Sequence, residues 1–338
     1  MLDRPDHTVD RLKEFQRSVR DLLICSRSRK DLHAIDRVSS ADTIYAIDSV
    51  VDPLLDSFCE EWGKETPLIL IAEGLENEAG EEGPKTFPRG TREEDAKIRL
   101  IVDPIDGTRG LMYDKRSAWA LAGVAPNKGP GTRLRDIEVS VMTELPTSKL
   151  GYADVLWAIK GQGAKGERVD LRTGDPEPMQ LHPSTADRID HGFAMISNFF
   201  PGTKVLASEL MEQLVQELIG PLDVFNATVF EDQYISTGGQ FYELIVGHDR
   251  FNADLRPLFY RLQNQPEGLC CHPYDCAALL IAEEAGVIIT DGLGAPLDGP
   301  MDVTTGIAWA GYANAALRKS IEPLLTGFLR ERGTHFDK

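Results

Sequence analysis

A pair of aspartates after an apolar run is the most informative chemical feature of the sequence. Asp103 and Asp106 lie within the octet Ile101 to Thr108 (IVDPIDGT), which continues a β-rich run that starts at Ile98. Pro104 prevents a helix from running through the octet. Two carboxylates at this spacing can converge on a hard cation, because such cations prefer oxygen ligands. Asp-Pro and Asp-Gly are also common turn dipeptides, so a plain turn is the alternative interpretation.

The two residues that follow the second aspartate are suited to binding an anion. Gly107 permits close approach of the backbone, and Thr108 can open a helix or a turn. The exposed backbone N–H groups of both residues can hold a phosphate, as the N-termini of helices do. Carboxylates for a metal and N–H groups for a phosphate are the groups that metal-assisted hydrolysis of a phosphate ester needs.

Other acidic residues lie at the ends of predicted elements. Glu73 follows the apolar run Leu68 to Ala72, where its carboxylate emerges at the end of a strand. Asp275 and Asp48 each lie at the start of a predicted helix, where a simple N-cap is the alternative role. Acidic residues beside several apolar strands are hard to explain as solvated surface. The sequence therefore predicts that these side chains form one carboxylate cluster with the aspartate pair.

Apolar periodicity predicts that helices and strands alternate along the chain. Helices are predicted over residues 9–29, 48–62, 205–219 and 274–285, the last of which is stopped by a glycine. Strands are predicted over 68–72, 98–102, 117–124, 137–142, 154–159, 192–197, 241–246 and 287–290, with an exposed loop over 76–94. This mixture, without an internal repeat, predicts an α/β layered protein. The turn-rich stretch 172–188, with three prolines, is the predicted boundary between two lobes.

Charge and hydropathy exclude several classes of partner. The 338 residues carry 54 acidic and 36 basic side chains, a formal net charge of −18. Such a protein repels a nucleic-acid backbone, and no basic stripe reverses that. The same charge repels small phosphates, so a phosphate-binding site needs local positive charge, which a bound divalent metal supplies. No apolar run approaches the roughly 20 residues that span a bilayer.

The cysteines and the first residues predict a cytoplasmic protein. The odd number of cysteines and the lack of a CxxC pair predict reduced thiols rather than disulfides. These cysteines are Cys25, Cys59, Cys270, Cys271 and Cys276. The stretch Met1 to Arg20 is charged and lacks an apolar core with a cleavage site, which argues against a secretory signal.

The residues described above resemble the inositol monophosphatase superfamily of lithium-sensitive, metal-dependent phosphatases, which includes the fructose-1,6-bisphosphatases. The octet matches the first signature of that family. The second signature, an aromatic residue and Asp before a small-residue helix that ends in Glu-Ala-Gly, is similar to Tyr274 to Ala278 with Glu284 to Gly286. Ala72-Glu73 and Tyr45 to Asp48 resemble two further family positions. Order and spacing agree from about residue 9 to about residue 315.

The resemblance implies a fold and a set of metal ligands. The implied fold is an αβαβα sandwich, with an N-terminal α+β metal-binding lobe over residues 1–188 and a C-terminal α/β lobe over residues 189–338. The implied cofactor is Mg²⁺, with one ion held by Glu73, Asp103 and the Ile105 carbonyl. A second ion would be held by Asp103, Asp106 and Asp275, and Glu73 would share a third, looser ion. Li⁺ is expected to inhibit by competing for the looser position.

The resemblance also implies catalytic and substrate-binding residues. Thr108, oriented by Asp48, would position the attacking water, and Glu73 would take part in catalysis. Gly107, Thr108 and Glu243 would contact the phosphate or the rest of the substrate. A half-exposed strand residue is the alternative role for Glu243. Arg109, Lys115 and Arg116 follow the octet and are within reach of an anionic substrate by sequence position, although ordinary surface charge is their default interpretation.

The chain departs from the family pattern at three places, one of which is Tyr274, where tryptophan is common. Gly74 replaces the second of two consecutive glutamates that the family often has, and Glu76 is a candidate replacement. Residues 249–257 resemble an insertion before Asp275, because the simple inositol monophosphatases are shorter there. The role of this insertion is open.

Three hypotheses of function follow from these residues. The first is Mg²⁺-dependent hydrolysis of a small phosphorylated metabolite, such as an inositol phosphate or a related sugar or nucleotide phosphate. A sugar bisphosphatase of the same superfamily is the second. The third is a non-catalytic descendant that binds phosphate or metal, which the missing second glutamate favours. A homodimer is expected from the family only.

Overall fold

The computed structural model describes residues 2–26, 35–38, 43–74, 83–221 and 225–333. Within these ranges, the side chains of residues 35–44, 48 and 49 are not described. In the part of the chain that is described, no helix is both long and apolar enough to cross a lipid bilayer.

Helices and strands alternate along most of the chain. The helices are α1 (Pro5–Ser26), α2 (Ala46–Ser49), α3 (Asp52–Glu65), α4 (Thr108–Met112), α5 (Lys204–Ile219), α6 (Thr237–Ile245), α7 (Arg256–Leu262), α8 (Leu279–Glu284) and α9 (Ala315–Arg332). The strands are β1 (Ile35–Val38), β2 (Thr43–Tyr45), β3 (Leu68–Ala72), β4 (Lys85–Phe87), β5 (Ile98–Asp106), β6 (Ala118–Pro126), β7 (Val139–Leu145), β8 (Tyr152–Ile159), β9 (Ala164–Asp170), β10 (Pro176–Met179), β11 (Gly192–Ile196), β12 (Val229–Phe230), β13 (Asp249–Asp254), β14 (Ile288–Thr290) and β15 (Trp309–Tyr312).

A large mixed sheet has the strand order β10-β9-β8-β7-β6-β5-β3-β4. Its β3 and β5 are parallel to each other, and its other pairs are antiparallel. Strand β3 is buried along its whole length, which explains why its sequence is apolar without alternation. Leu68 and Leu70 face one hydrophobic core, whereas Ile69 and Ile71 face another. The sheet is therefore covered on both faces.

Helix α1 covers one face of the large sheet. Its side chains Val9, Leu12, Phe15 and Val19 repeat at helical spacing, as the sequence predicts, and are buried in the core below the sheet. Helix α3 adds Leu55 and other apolar side chains to the same core. The other face of the large sheet packs against α6 and α8.

A second sheet lies beyond α6 and α8, with the strand order β12-β11-β13-β15-β14. Helices α5 and α9 contact strands β11 and β15 of this sheet and contact each other. The layers are therefore helix, sheet, helix, sheet, helix, which confirms the predicted αβαβα sandwich. The large sheet comes from residues 68–179 and the small sheet from residues 192–312. The division into lobes at residue 188 stays a prediction.

The predicted strand over residues 241–246 is wrong, because this segment belongs to helix α6. Phe241, Leu244 and Ile245 are buried on one face at helical spacing. The side chain of Ser236 caps the helix by accepting a hydrogen bond from the N–H of Gly239. A short apolar run is compatible with both a strand and a buried helix. Here Ser236, the N-cap residue before the run, favours the helix.

Other boundaries differ from the sequence predictions. The predicted helix over 48–62 is divided into α2 and α3, with Pro53 in the first turn of α3. The predicted loop over 76–94 contains strand β4, which pairs with β3. Residues 273–278 form turns, so α8 begins only at Leu279. Residues 249–257, interpreted as an insertion, supply the central strand β13 of the small sheet and the start of α7.

Candidate active site

Strand β5 carries both aspartates of the octet, and a bulge lies between them. Asp103 pairs with Leu121 of β6 and Asp106 pairs with Trp119, so three steps along β5 oppose two steps along β6. In a regular strand, residues three positions apart point to opposite faces. The extra residue in the bulge cancels this alternation, so both carboxylates reach the same side. Pro104 lies in the bulge, where its missing N–H costs no ladder hydrogen bond.

Asp275 completes a cluster of three carboxylates. One oxygen each from Asp103, Asp106 and Asp275 lies within 4.8 Å of the other two. Asp275 lies in the turns before α8, and its carboxylate accepts a hydrogen bond of 2.6 Å from the backbone N–H of His272. Asp103 and Asp106 are only 2% and 5% exposed. Residues from the large sheet and from a distant turn are thus brought together in a buried position.

Burial raises the pKa of two of the three aspartates in this cluster. Burial raises the pKa of Asp103 well above its ordinary value, and the charges of Glu73, Asp106 and Asp275 raise it further. Burial also raises the pKa of Asp106 to about 7, against the hydrogen bonds that the carboxylate accepts. Buried like charges are unfavourable unless a counter-charge neutralises them. Oxygen donors in this arrangement fit a hard divalent cation such as Mg²⁺.

The N-terminus of helix α6 holds Asp106 in place. The carboxylate accepts hydrogen bonds from the Ser236 hydroxyl at 2.9 Å and from the backbone N–H groups of Gly238 at 2.5 Å and Thr237 at 3.3 Å. A Cβ atom on Gly238 would lie 2.9 Å from a carboxylate oxygen of Asp106 and 2.6 Å from Leu121. The close approach of the carboxylate to the helix therefore requires glycine at this position.

Gly107 turns the chain from strand β5 into helix α4. Its φ is +97°, in the left-handed region, and a Cβ atom there would lie 3.0 Å from Cβ of Ser236. The turn places Thr108 at the start of α4, where its hydroxyl donates a hydrogen bond of 2.8 Å to the Ile105 carbonyl. A carbonyl oxygen has a second lone pair, so Ile105 keeps the capacity to bind a cation.

One cleft contains seven of the residues that the sequence selects. They are Glu73, Asp103, Ile105, Asp106, Gly107, Thr108 and Asp275. Arg109 lines the same cleft, which places a cation beside the carboxylates of a strongly acidic protein. Residues about 30, 170 and 200 positions apart thus meet in one place, as the sequence predicts for its carboxylate cluster.

Solved structures with the same fold were found, although the sequence matches no family model and no curated protein. A fructose-1,6-bisphosphatase from Leishmania major is 14% identical and superposes with a TM-score of 0.68, covering 98% of this chain and 96% of that chain. A protein described as an inositol monophosphatase-fructose 1,6 bisphosphatase is 15% identical, with a TM-score of 0.64, and the match covers 93% and 98% of the two chains.

The extragenic suppressor protein suhB from Bartonella henselae is also similar, at 15% identity with a TM-score of 0.62, covering 95% of this chain and 98% of that chain. The chain has the fold of these solved structures. In this fold the octet forms the end of β5 and the start of α4, and Tyr274-Asp275 forms the turn before α8.

Glu243 is not among the residues that line the cleft. It lies on α6, where its carboxylate pairs with Arg116 at 2.7 Å and with Nδ1 of His248 at 2.6 Å. Arg116 also pairs with Asp232 and lies over the Tyr234 ring. The alternative role of Glu243 as a half-exposed strand residue is wrong, because Glu243 lies on α6 and pairs with Arg116, whereas its contact with substrate, which the resemblance implies, stays a prediction.

The structure does not describe the side chains of two predicted residues. The side chain of Asp48 is not described, although its backbone lies in α2. Glu76, the candidate replacement for the missing glutamate, lies in the segment 75–82, which is also outside the described residues. Their predicted roles therefore stay predictions.

The structure adds cleft residues that the sequence predictions missed. Ser236 and Thr237 line the cleft at the start of α6, and the motif Ser-Thr-Gly-Gly before an apolar helical pattern was the available signal. Phe199, Phe200 and Arg256 line it as well. No spacing in the sequence relates these three residues to the octet, because they follow strands of the small sheet and reach the cleft only through the packing of that sheet.

Proposed function

We propose that this chain is a Mg²⁺-dependent phosphatase that hydrolyses a small phosphate monoester by direct attack of water. The observation that carries the proposal is the cluster of Asp103, Asp106 and Asp275, whose oxygens lie within 4.8 Å in a cleft also lined by Glu73 and Thr108. Similarity in fold to a fructose-1,6-bisphosphatase and to an inositol monophosphatase-fructose 1,6 bisphosphatase supports a phosphatase.

The donor set fits the cofactor. Glu73, Asp103 and the Ile105 carbonyl would hold one Mg²⁺, and Asp103, Asp106 and Asp275 would hold another. The chemistry supplied by bound Mg²⁺ is a lowered pKa of water and neutralisation of charge on the phosphoryl and leaving oxygens. The rest of the catalysis falls to the side chains and the backbone of the cleft.

Thr108 is suited to orient the attacking water. Because its hydroxyl donates its single hydrogen to the Ile105 carbonyl, its oxygen acts as an acceptor toward other groups. It can therefore accept a hydrogen bond from the water and hold the water's lone pair toward phosphorus. Asp48, whose backbone lies in α2, is proposed to assist Thr108 by accepting the hydroxyl hydrogen in place of the Ile105 carbonyl.

The turn at Gly107 is suited to hold the phosphoryl group. Its left-handed backbone presents the start of α4 to the cleft, where N–H groups can donate to phosphoryl oxygens. Arg109 adds a positive charge at the same wall. We expect a small metabolite as substrate rather than a nucleic acid, because the net charge of −18 repels a polyanion.

A panel of phosphate esters tests the proposal. Purified protein is assayed for phosphate release with Mg²⁺, Mn²⁺, Ca²⁺ or EDTA, alongside Asp103→Asn and a surface control, Asp175→Asn. We expect turnover that requires Mg²⁺, is lost in Asp103→Asn and persists in Asp175→Asn. Equal turnover in Asp103→Asn and wild type would disprove the proposed role of the cluster.

A non-catalytic descendant is the second candidate, and Gly74 in place of the second family glutamate is the observation that favours it. If wild type and Asp103→Asn are equally inert across the panel, titration calorimetry with Mg²⁺ decides. Uptake of Mg²⁺ that is lost in Asp106→Asn and Asp275→Asn would then identify a metal-binding protein without phosphatase activity.

A further inference from the structure

A buried tyrosine ties the strand opposite Asp106 to the segment before helix α6. Tyr234 is 6% exposed, and its hydroxyl accepts a hydrogen bond of 2.9 Å from Nε1 of Trp119. The same hydroxyl donates a hydrogen bond of 2.8 Å to the carbonyl of Ser117. Trp119 lies on β6 directly opposite Asp106. The phenol is therefore anchored to the part of β6 that pairs with a carboxylate of the cluster.

Helix α6 and a neighbouring arginine hold the same tyrosine from other sides. The guanidinium carbon of Arg116 lies 3.7 Å from the centroid of the Tyr234 ring. A Cβ atom on Gly239 would overlap this ring, so the ring packs directly against the backbone of α6. The backbone carbonyl of Tyr234 accepts a hydrogen bond of 2.7 Å from the side chain of Gln240, also on α6. Tyr234 thus links α6 to β6.

The two residues after Tyr234 contact the carboxylate cluster and the turn that follows it. The Ser236 hydroxyl donates a hydrogen bond of 2.9 Å to the carboxylate of Asp106, and Ser236 caps α6. A Cβ atom on Gly107 would lie 3.0 Å from Cβ of Ser236 and 3.2 Å from the Ile235 carbonyl oxygen. In the part of the chain that the structure describes, Tyr234 itself is not among the residues that line the cleft. Its effect on the site therefore passes through these neighbours.

Tyr242 packs against the same tryptophan but leads away from the cluster. Its ring centroid lies 4.6 Å from that of Trp119, and its hydroxyl donates a hydrogen bond of 2.6 Å to the carboxylate of Asp154. Neither Tyr242 nor Asp154 is among the residues that line the cleft. The two tyrosines share a packing partner and differ in whether their bonds lead to a metal ligand, so Tyr242 is the structural counterpart of Tyr234.

We propose that Tyr234 is a positioning residue, which fixes the segment 234–236 so that Ser236 and the start of α6 hold Asp106 in the geometry that binds Mg²⁺. The inference rests on the proposed function and adds to it a residue outside the cleft. Groups that orient a metal ligand by hydrogen bonds change metal affinity or activity about 10- to 100-fold when they are removed. The hydroxyl of Tyr234 is one bonded step further out than that of Ser236.

Removal of one hydroxyl tests this role by metal binding. Tyr234→Phe keeps the ring against Arg116 and α6 but leaves the indole N–H of Trp119 without its acceptor. We expect its dissociation constant for Mg²⁺, measured by titration calorimetry, to rise about tenfold. Tyr242→Phe is the matched control, and its Mg²⁺ affinity should change less than about twofold, because its hydroxyl bonds Asp154 outside the cleft. Urea unfolding in EDTA measures the loss of stability in both variants.

A double-mutant cycle shows whether Tyr234 acts through Ser236. Ser236→Ala removes the hydroxyl that bonds Asp106, and we expect it to weaken Mg²⁺ binding about tenfold. If Tyr234 acts by placing Ser236, the double variant binds Mg²⁺ about as weakly as Ser236→Ala alone, rather than about 100-fold more weakly than wild type. Phosphate release supplies a kinetic readout, since the Mg²⁺ concentration for half-maximal rate should rise about tenfold in Tyr234→Phe while kcat recovers at saturating Mg²⁺.

The outcomes separate this inference from the proposed function. The inference is overturned if Tyr234→Phe loses stability as Tyr242→Phe does but keeps its Mg²⁺ affinity, because Tyr234 would then serve the core alone. Effects that multiply in the cycle also overturn it, since Tyr234 would then act by another route. Mg²⁺-dependent turnover with unchanged affinity in Tyr234→Phe would leave the phosphatase standing without this role.

The reverse result is also distinguishable. Weaker Mg²⁺ binding by Tyr234→Phe, in a protein that hydrolyses no ester, would keep the positioning role and reject the phosphatase. If wild type takes up no Mg²⁺, the metal site and the positioning role both fall. If Tyr234→Phe does not fold, Gln240→Met takes its place in the cycle with Ser236→Ala, because it removes the other hydrogen bond that fixes the segment 234–236. Multiplying effects there overturn the inference as well.

Discussion

Asp254 and Asp103 are similarly buried, at 1% and 2% exposed, but their surroundings are opposite. Asp254 is bonded by the Nε and Nη2 atoms of Arg256, which is itself buried. Asp103 faces the carboxylates of Glu73, Asp106 and Asp275, which raise its pKa. Both aspartates lie on strands that pair within a sheet, Asp103 on β5 and Asp254 at the end of β13, so their position on a strand does not distinguish them.

The comparison shows how to separate a structural carboxylate from a functional one. A buried charge with an internal partner is balanced by the fold itself. Asp103 accepts a hydrogen bond of 3.0 Å from the Ile105 N–H, but the charges that act on it most are like charges, so its own charge is not balanced by an internal ion pair. Asp106 is an intermediate case, because the N-terminus of α6 donates hydrogen bonds to it without carrying a full charge.

Replacing Asp103 has the largest expected effect. Asp103→Asn removes a ligand of the cluster, so we expect kcat to fall about 1,000-fold. In EDTA at pH 7, the same change relieves repulsion and burial of charge, so the free energy of unfolding should rise. Phosphate release and urea unfolding, each with Mg²⁺ and with EDTA, measure the two effects. A less stable variant in EDTA would contradict the interpretation of this aspartate as unbalanced.

Replacing Asp254 should have the opposite effect on stability. Asp254→Asn leaves the buried Arg256 without its counter-charge, so we expect the free energy of unfolding to fall by about 3 kcal/mol. The matched change Asp154→Asn should cost less, because its partner Arg168 is 50% exposed and water screens it. Urea unfolding of both variants checks the order. If the two costs are equal, burial of the partner does not determine the effect.

The layered fold and the centre of the site could be predicted from the sequence, because the signals are local. The octet from Ile101 to Thr108 places its ligands within one strand end, and Asp275 lies in a second recognisable motif. The position of Glu243 could not be predicted, since a run of apolar residues suits a strand and a buried helix equally. Arg256 was missed because its role depends on where β13 lies in the small sheet.

Replacing Gly238 tests how far helix α6 positions Asp106, the intermediate case. Gly238→Ala places a Cβ atom 2.9 Å from Asp106 and 2.6 Å from Leu121, so the carboxylate or the helix must move. We expect a loss of about 2 kcal/mol in stability together with weaker Mg²⁺ binding. Gly327→Ala is the control, because nothing lies within 4 Å of its Cβ position, on α9. Urea unfolding and Mg²⁺ calorimetry measure both variants, and unchanged Mg²⁺ affinity in Gly238→Ala would show that α6 does not position Asp106.

Asp249 extends the comparison to a carboxylate with an amide partner. Burial raises its pKa to about 6, and the hydrogen bond of 2.7 Å from Asn252 lowers it only in part. The unfolded chain releases this proton near pH 4, whereas the folded chain releases it only near pH 6. The free energy of unfolding therefore falls as pH rises from 4 to 6, and the full loss is present above pH 6. Asp249→Asn should therefore stabilise the protein by up to about 3 kcal/mol at pH 8 and by almost nothing at pH 4. Urea unfolding at the two pH values tests this, and an equal gain at both would mean that packing, rather than the charge, is responsible.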